Sequence, residues 1–247
     1  MTDWPIVLAI AATFLLAGIV KGVIGLGLPT VSLALLTVAL GLPQAMALLL
    51  VPSFVTNVWQ AAVGGNGRAI LRRTWPFLMM ATVAVWLGAA VFSRVDLHWL
   101  SALLGLLLVA YGASGLAGIR LVVAARHESW VGPLVGTVNG VLTGMTGSFV
   151  VPGVMFLQAI GLPRDMLVQA MGMLFTASTL ALAVALQANA LVGAELGLLS
   201  LVALAPALVG MAAGRWLRTR LDETAFRRLF FGALLVLGGY IVVTAII

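Results

Sequence analysis

The chain has 247 residues, of which 63% are hydrophobic and only 8% charged, where an ordinary soluble domain carries roughly a quarter charged residues. So much apolar surface cannot be hidden from water, and most of the 13 Lys and Arg, against 7 Asp and Glu, fall in or at the edges of short stretches between apolar runs, as membrane orientation requires, which argues against nucleic acid as a partner. The absence of cysteine excludes disulfides, thiol redox relays and thiolate metal sites.

In chain order the apolar runs cover 5–24, 28–40, 45–63, 75–93, 98–118, 131–146, 148–160, 166–187, 196–214 and 226–247. Several reach about 18 to 22 residues, enough helix to cross roughly 30 Å of hydrocarbon. They are continuously apolar rather than alternating, which predicts helices and not a barrel. Met1-Thr2-Asp3-Trp4-Pro5 has no basic start and no small-residue cleavage site follows the first run, so that run is expected to stay in the protein.

The ten runs form two sets of five. Each set opens on a glycine-broken pair, with Gly18, Gly22, Gly25 and Gly27 in the first and Gly136, Gly140, Gly144 and Gly147 in the second. Each pair ends in the same tripeptide, Gly41-Leu42-Pro43 and Gly161-Leu162-Pro163, and Met46 and Thr56 match Met166 and Thr176 at the same offset of 120. Later, Gly88-Ala89-Ala90 is paired with Gly210-Met211-Ala212-Ala213, and Val95-Asp96 with Leu221-Asp222. An ordered series of this kind predicts a duplication, 1–122 and 123–247, within one membrane domain. The second run of each set, Pro29 to Leu40 and Phe149 to Ile160, makes only about 18 Å of helix. Each pair is therefore expected to be a re-entrant hairpin whose tip lines a cavity, since irregular backbone at that depth must be buried in protein or reached by water.

Arginines set the orientation. Arg68, Arg72 and Arg73 follow the third run, Arg120 and Arg126 the fifth, Arg164 the seventh, and Arg215, Arg218, Arg220, Arg227 and Arg228 the ninth. With these loops inside, eleven of the 13 basic residues are cytoplasmic, leaving Arg94 outside and Lys21 in the membrane. The equivalent of the third loop, 188–195, has no basic residue and falls outside. The expected fold is thus an all-α integral membrane protein of two inverted-topology repeats, each a glycine-broken re-entrant helical hairpin plus three transmembrane helices, with both termini outside.

Lys21 precedes the first hairpin break by one turn, and a lysine deep in a bilayer is a functional candidate by default. The alternative is that the first helix spans fully and Lys21 snorkels to the cytoplasmic surface. Its repeat equivalent is Asn139, which would add directional hydrogen bonds to the lysine's charge around one oxyanion. Second arms starting at Leu28-Pro29 and at Ser148 would aim free backbone N–H groups into the membrane, beside Gly25 and Gly27 in one half and Thr143, Thr146 and Ser148 in the other. Ser53, Thr56, Asn57 and Gln60 share one helical face, and Gln169, Thr176 and Thr179 roughly another. These stripes suit the walls of a translocation path, or else interhelical hydrogen bonds with no ligand. The candidate substrate-binding set is therefore Lys21, Gly25, Gly27, Asn57, Gln60, Asn139, Thr143, Thr146, Ser148, Gln169 and Thr176. No Asp or Glu falls inside an apolar run, His98 and His127 are isolated from metal-ligand spacing, and no phosphate loop is present. No cofactor and no catalytic residue is expected.

The stretches GIVKGVIGLGLPTVSLALLTVALGLP (Gly18 to Pro43) and GTVNGVLTGMTGSFVVPGVMFLQAIGLP (Gly136 to Pro163) resemble the sulfite exporter TauE/SafE family, also called the toluene sulfonate uptake permease group. The resemblance implies a plasma (inner) membrane permease for small sulfur-containing anions such as sulfite, thiosulfate or organosulfonates, commonly exporting them. The expected partners are a small anionic substrate and membrane lipid, with a homo-oligomer left open. An anion channel of the same architecture is the alternative, and a membrane-embedded enzyme a more distant one.

Overall fold

In the computed structural model the described residues, 4–119, 121–189 and 193–247, form helices and no strand. Arg120 and part of the 188–195 loop lie outside them. The helices are α1 (Trp4–Ile24), α2 (Leu28–Leu40), α3 (Leu42–Leu48), α4 (Leu50–Ala62), α5 (Gly67–Val83), α6 (Val85–Phe92) and α7 (Leu97–Leu116). After a single 3-10 turn at Ala125–His127 come α8 (Glu128–Thr146), α9 (Gly153–Ala159), α10 (Arg164–Ala188), α11 (Ala194–Arg218) and α12 (Glu223–Ile246). Six helices or continuous pairs among the described residues are long and apolar enough to cross a bilayer, and the pair α3–α4, bent by 44°, raises the number to seven if it counts as one span.

Three of the predicted runs differ in form. The run 45–63 begins earlier, at Leu42, and breaks at Leu49 into α3 and α4. The run 75–93 begins at Gly67 and is interrupted at Ala84 within one continuous span, so Arg68, Arg72 and Arg73 belong to the opening turns of a helix and not to a loop. A hydropathy window stops at arginine, whereas the helix continues because long cationic side chains reach the interface from within it. The short second arm of the other hairpin, expected from Ser148 or Phe149, is α9 and starts only at Gly153. Proline has no N–H to give a helix and fits best at or before the first turn, although Pro76, Pro133 and Pro206 stand inside longer helices. Pro29 sits immediately after its turn, at the start of α2, whereas Pro152 lies further along and becomes the residue before α9.

The chain packs as two compact units, each drawing on both halves of the sequence: 1–52, 97–118 and 191–247 in the first, 53–96 and 119–190 in the second. In the first unit α1 lies along α11, and α7 along α12. A Cβ on Gly18 would meet the Ala207 carbonyl and the Met211 N–H, and one on Gly22 the Met211 carbonyl and the Arg215 N–H, so the two backbones touch. Small residues permit this approach, and dispersion and weak backbone contacts hold it without a hydrophobic effect between helices. The same device joins α7 to α12, where Gly105 rests on the Gly238 carbonyl and Gly112 on that of Phe231. The break between α3 and α4 leaves backbone groups that the bilayer could not satisfy. Ser200 of α11 repairs it, donating to the Leu48 carbonyl at 2.8 Å and accepting the Val51 N–H at 3.1 Å.

In the second unit α8 lies along α5 and α6. Gly136 meets the Phe77 carbonyl and the Ala81 N–H, Gly140 the Ala81 carbonyl and the Ala84 side chain, and Gly144 the Val85 carbonyl. Arg73 closes one end of this unit with a fork: Nε and Nη2 donate to the two Glu128 oxygens at 2.8 and 2.6 Å, and Nη2 also donates to the Ile160 carbonyl at 2.7 Å. The fork thus ties the starts of α5 and α8 to the end of α9.

Candidate functional site

The first hairpin is α1, the turn Gly25–Gly27 and α2. Gly27 has φ +107°, a left-handed conformation that side chains disfavour, and a Cβ there would also press on Val20 and on the Phe230 ring. Phe230 stands seven residues into α12, about 10 Å of helix from its start, so the tip lies within the depth of that span. Lys21 is buried, 4% exposed, beside Gly22, which is level with Gly214 and Arg215 near the end of α11. The lysine therefore stands roughly a turn below the end of that helix, enclosed by protein rather than extended to the surface. Thr30 at the start of α2 is buried with a hydroxyl that has no hydrogen-bond partner among the described residues, while Ser32 turns back to the Leu28 carbonyl at 2.8 Å.

The second hairpin is α8, the turn 147–152 and α9, and hydroxyls and one amide build it. Gly147 takes φ +72° and ends α8. Thr143 donates to the Ser148 carbonyl at 2.8 Å, and Thr146 donates to the Leu142 carbonyl at 2.7 Å while accepting the Ser148 N–H at 3.2 Å. Asn139 reaches across the hairpin, its oxygen accepting the Gly153 N–H at 2.8 Å. That bond takes a leading N–H of α9, so the open helix end expected at Ser148 is not what the hairpin offers. The Asn139 nitrogen remains buried and without a hydrogen-bond partner among the described residues, as do the hydroxyls of Ser53, Ser178 and Thr179 in the same unit. Leu174, one turn before Ser178 on α10, sits beside the Gly153 position that Asn139 also touches. Buried donors of this kind call for water or a ligand, and the first unit has its own in Thr30, Thr37 and Tyr111.

The polar stripes divide. Ser53, Thr56 and Asn57 on α4 are fully buried, as a membrane helix with a polar face requires. Gln60 and Gln169 are committed to structure: Gln60 donates to the Val168 carbonyl at 2.7 Å, and Gln169 donates to the Ala61 carbonyl at 2.8 Å while accepting the Asn66 N–H at 3.0 Å. Together they pin the end of α4 to the start of α10. The Thr176 hydroxyl is spent on the Gly172 carbonyl of its own helix at 2.7 Å. Lys21, Gly25 and Gly27 belong to the first compact unit and the remaining candidates to the second. Ser178 and Thr30 escaped the sequence reading because a single hydroxyl in an apolar run carries no pattern. The buried orphan oxygen that singles them out exists only in the folded chain. A cavity of about 520 Å³ also opens in the first unit, bounded by Thr37, Gly41, Pro43, His98, Ser101 and Tyr240. It lies at the other end of α12 from the hairpin tip, and His98, in the first turn of α7, is on its wall.

Apolar helices of spanning length, joined by close glycine contacts and enclosing polar groups, define a multi-pass α-helical membrane protein. The chain belongs to the sulfite exporter TauE/SafE family, whose family model matches residues 10–241. It is thereby a membrane transporter of the sulfite or anion exporter type. No curated protein and no solved structure matched the chain.

Proposed function

We propose that this protein is a secondary transporter that moves small sulfur-containing oxyanions, such as sulfite, thiosulfate or organosulfonates, out across the inner membrane by alternating access. The observation that carries the reading is the sign of the interior. Lys21 is buried at the first hairpin, and among the described residues no carboxylate lies deeper than the opening turn of any helix. An interior of buried lysine, amide and hydroxyl donors favours an anion and gives a proton or metal cation no carboxylate to ride on. Export of an anion from a cell that is negative inside is also downhill, by roughly 2.3 kcal/mol per charge per 100 mV.

Two inverted repeats suit this mechanism, and the helix contacts support a duplication. Gly18 meets the Ala207 carbonyl and the Met211 backbone nitrogen as Gly136 meets the Phe77 carbonyl and the Ala81 backbone nitrogen, and Gly22 and Gly140 rest on the carbonyls of Met211 and Ala81 in turn. The α1 and α8 positions differ by 118, while their partners differ by 130, the offset that also relates Pro76 to Pro206 and Trp86 to Trp216. Gly88 and Gly210, paired from the sequence at 122, each rest on a backbone carbonyl of a facing helix, that of Val141 and that of Leu15. The test is sulfite flux into proteoliposomes. Wild type should show saturable uptake and counterflow, Lys21→Ala should lose most of it, and Lys21→Arg should keep part. Undiminished sulfite flux in a folded Lys21→Ala protein would overturn the anion site, and flux without saturation or counterflow would indicate a channel.

A further inference from the structure

We infer that the arginine-rich connection between α11 and α12 is a binding surface for anionic phospholipid headgroups and that it bears directly on the first hairpin. Arg215, Arg218, Arg220, Arg227 and Arg228 fall within fourteen residues and are all exposed. The stretch has two carboxylates, Asp222 and Glu223, leaving a net charge of +3. Asp222 is already engaged as the cap of α12, accepting the Thr224 N–H at 2.9 Å. All five are arginines, whose planar fork binds phosphate oxygens in pairs.

The apolar side chains among them place this surface at the headgroup level. Trp216 and Leu229 are 56% and 71% exposed, and the Arg220 guanidinium carbon lies over the Trp216 ring, 3.7 Å from its centre. Tryptophan beside arginine is the pairing of the membrane interface, where the ring meets the acyl boundary and the cation meets phosphate. An acidic protein or a free polyanion would match the charge but not the exposed Trp216 and Leu229.

The two flanks of the surface are the walls of the first hairpin. The Arg215 backbone lies directly against Gly22 on α1, one residue after Lys21, and Phe230, two residues after Arg228, packs on the tip at Gly27. Headgroups that order this connection therefore firm both the arm and the tip of the hairpin. The inference holds whichever solute the protein carries.

The experiment follows thermal unfolding of the full-length protein in detergent during titration with short-chain phosphatidylglycerol, phosphatidylcholine or glycerol 3-phosphate. Phosphatidylglycerol should raise the midpoint where the other two do not, and added salt should weaken the effect. In R218Q/R220Q/R228Q the apparent affinity should fall about a hundredfold, at roughly fivefold for each arginine. The matching lysine variant should fall in between, keeping charge but losing the fork. Equal stabilisation of wild type and the glutamine variant would overturn the site. Equal effects of glycerol 3-phosphate and lipid would overturn the membrane partner in favour of a soluble polyanion. If the triple variant does not fold, the salt dependence and lipid selectivity of wild type decide the matter alone.

Discussion

The Asn139 carboxamide lies between α8 and the start of α9, with its oxygen on the Gly153 N–H and its nitrogen in a buried space without a partner. Leucine at this position would leave that N–H unsatisfied, at a cost of about 1–3 kcal/mol. Asn139→Leu should therefore lower the unfolding midpoint in detergent and abolish transport together. Thr176 offers the contrast, because its hydroxyl bonds only to a carbonyl of its own helix. Thr176→Val keeps the shape and should change stability by less than about 1 kcal/mol. A fall in sulfite flux without a fall in midpoint would place Thr176 on the path, and unchanged flux would leave it a packing residue. The sequence reading selected both residues by their spacing alone, and spacing does not distinguish a hydroxyl spent within its helix from an amide that bridges two.

At the scale of elements, the decisive contacts are between helix backbones. Gly136 and Gly18 each occupy a place where a side chain would collide with a carbonyl of the neighbouring helix. Gly136→Val should force α8 away from α5 and cost about 1–3 kcal/mol. Gly239→Val, on the face of α12 where nothing lies within 4 Å, should be nearly neutral. Comparable midpoints for the two variants would show that close approach does not limit stability. The glycine pattern of the hairpins was visible in the sequence, and so was the shortness of the second arms. The partner helices were not, because a stripe of small residues names no neighbour. The break at Leu49 was hidden as well: its backbone groups are repaired by Ser200, 149 residues from the Val51 N–H that it accepts.

For the whole molecule, orientation is the property most open to direct test, since the natural chain contains no cysteine. Positive residues gather at the α11–α12 connection and at the start of α5, while His98 lies at the start of α7. With arginine-rich ends inside, His98→Cys should react with an impermeant maleimide added to intact cells. Arg72→Cys should react only after permeabilisation. The reverse pattern would invert the proposed topology and the direction of export with it.

Composition and charge placement alone determined that this chain lives in a bilayer as helices. Apolar length and the exclusion of charge are properties of the chain itself and need no partner to be read. The glycine-broken pairs and the repeated Gly-Leu-Pro turn likewise carried the family and the hairpins. Only the tertiary structure decided that α1 belongs with α11 and α8 with α5 and α6, so that each compact unit is assembled from both halves. Only it could show that Gln60 and Gln169 serve as fasteners, while Asn139 keeps a donor in reserve. The physical reason is the same in each case. A polar group in a membrane helix must find a partner, and which partner it finds depends on residues a hundred or more positions away.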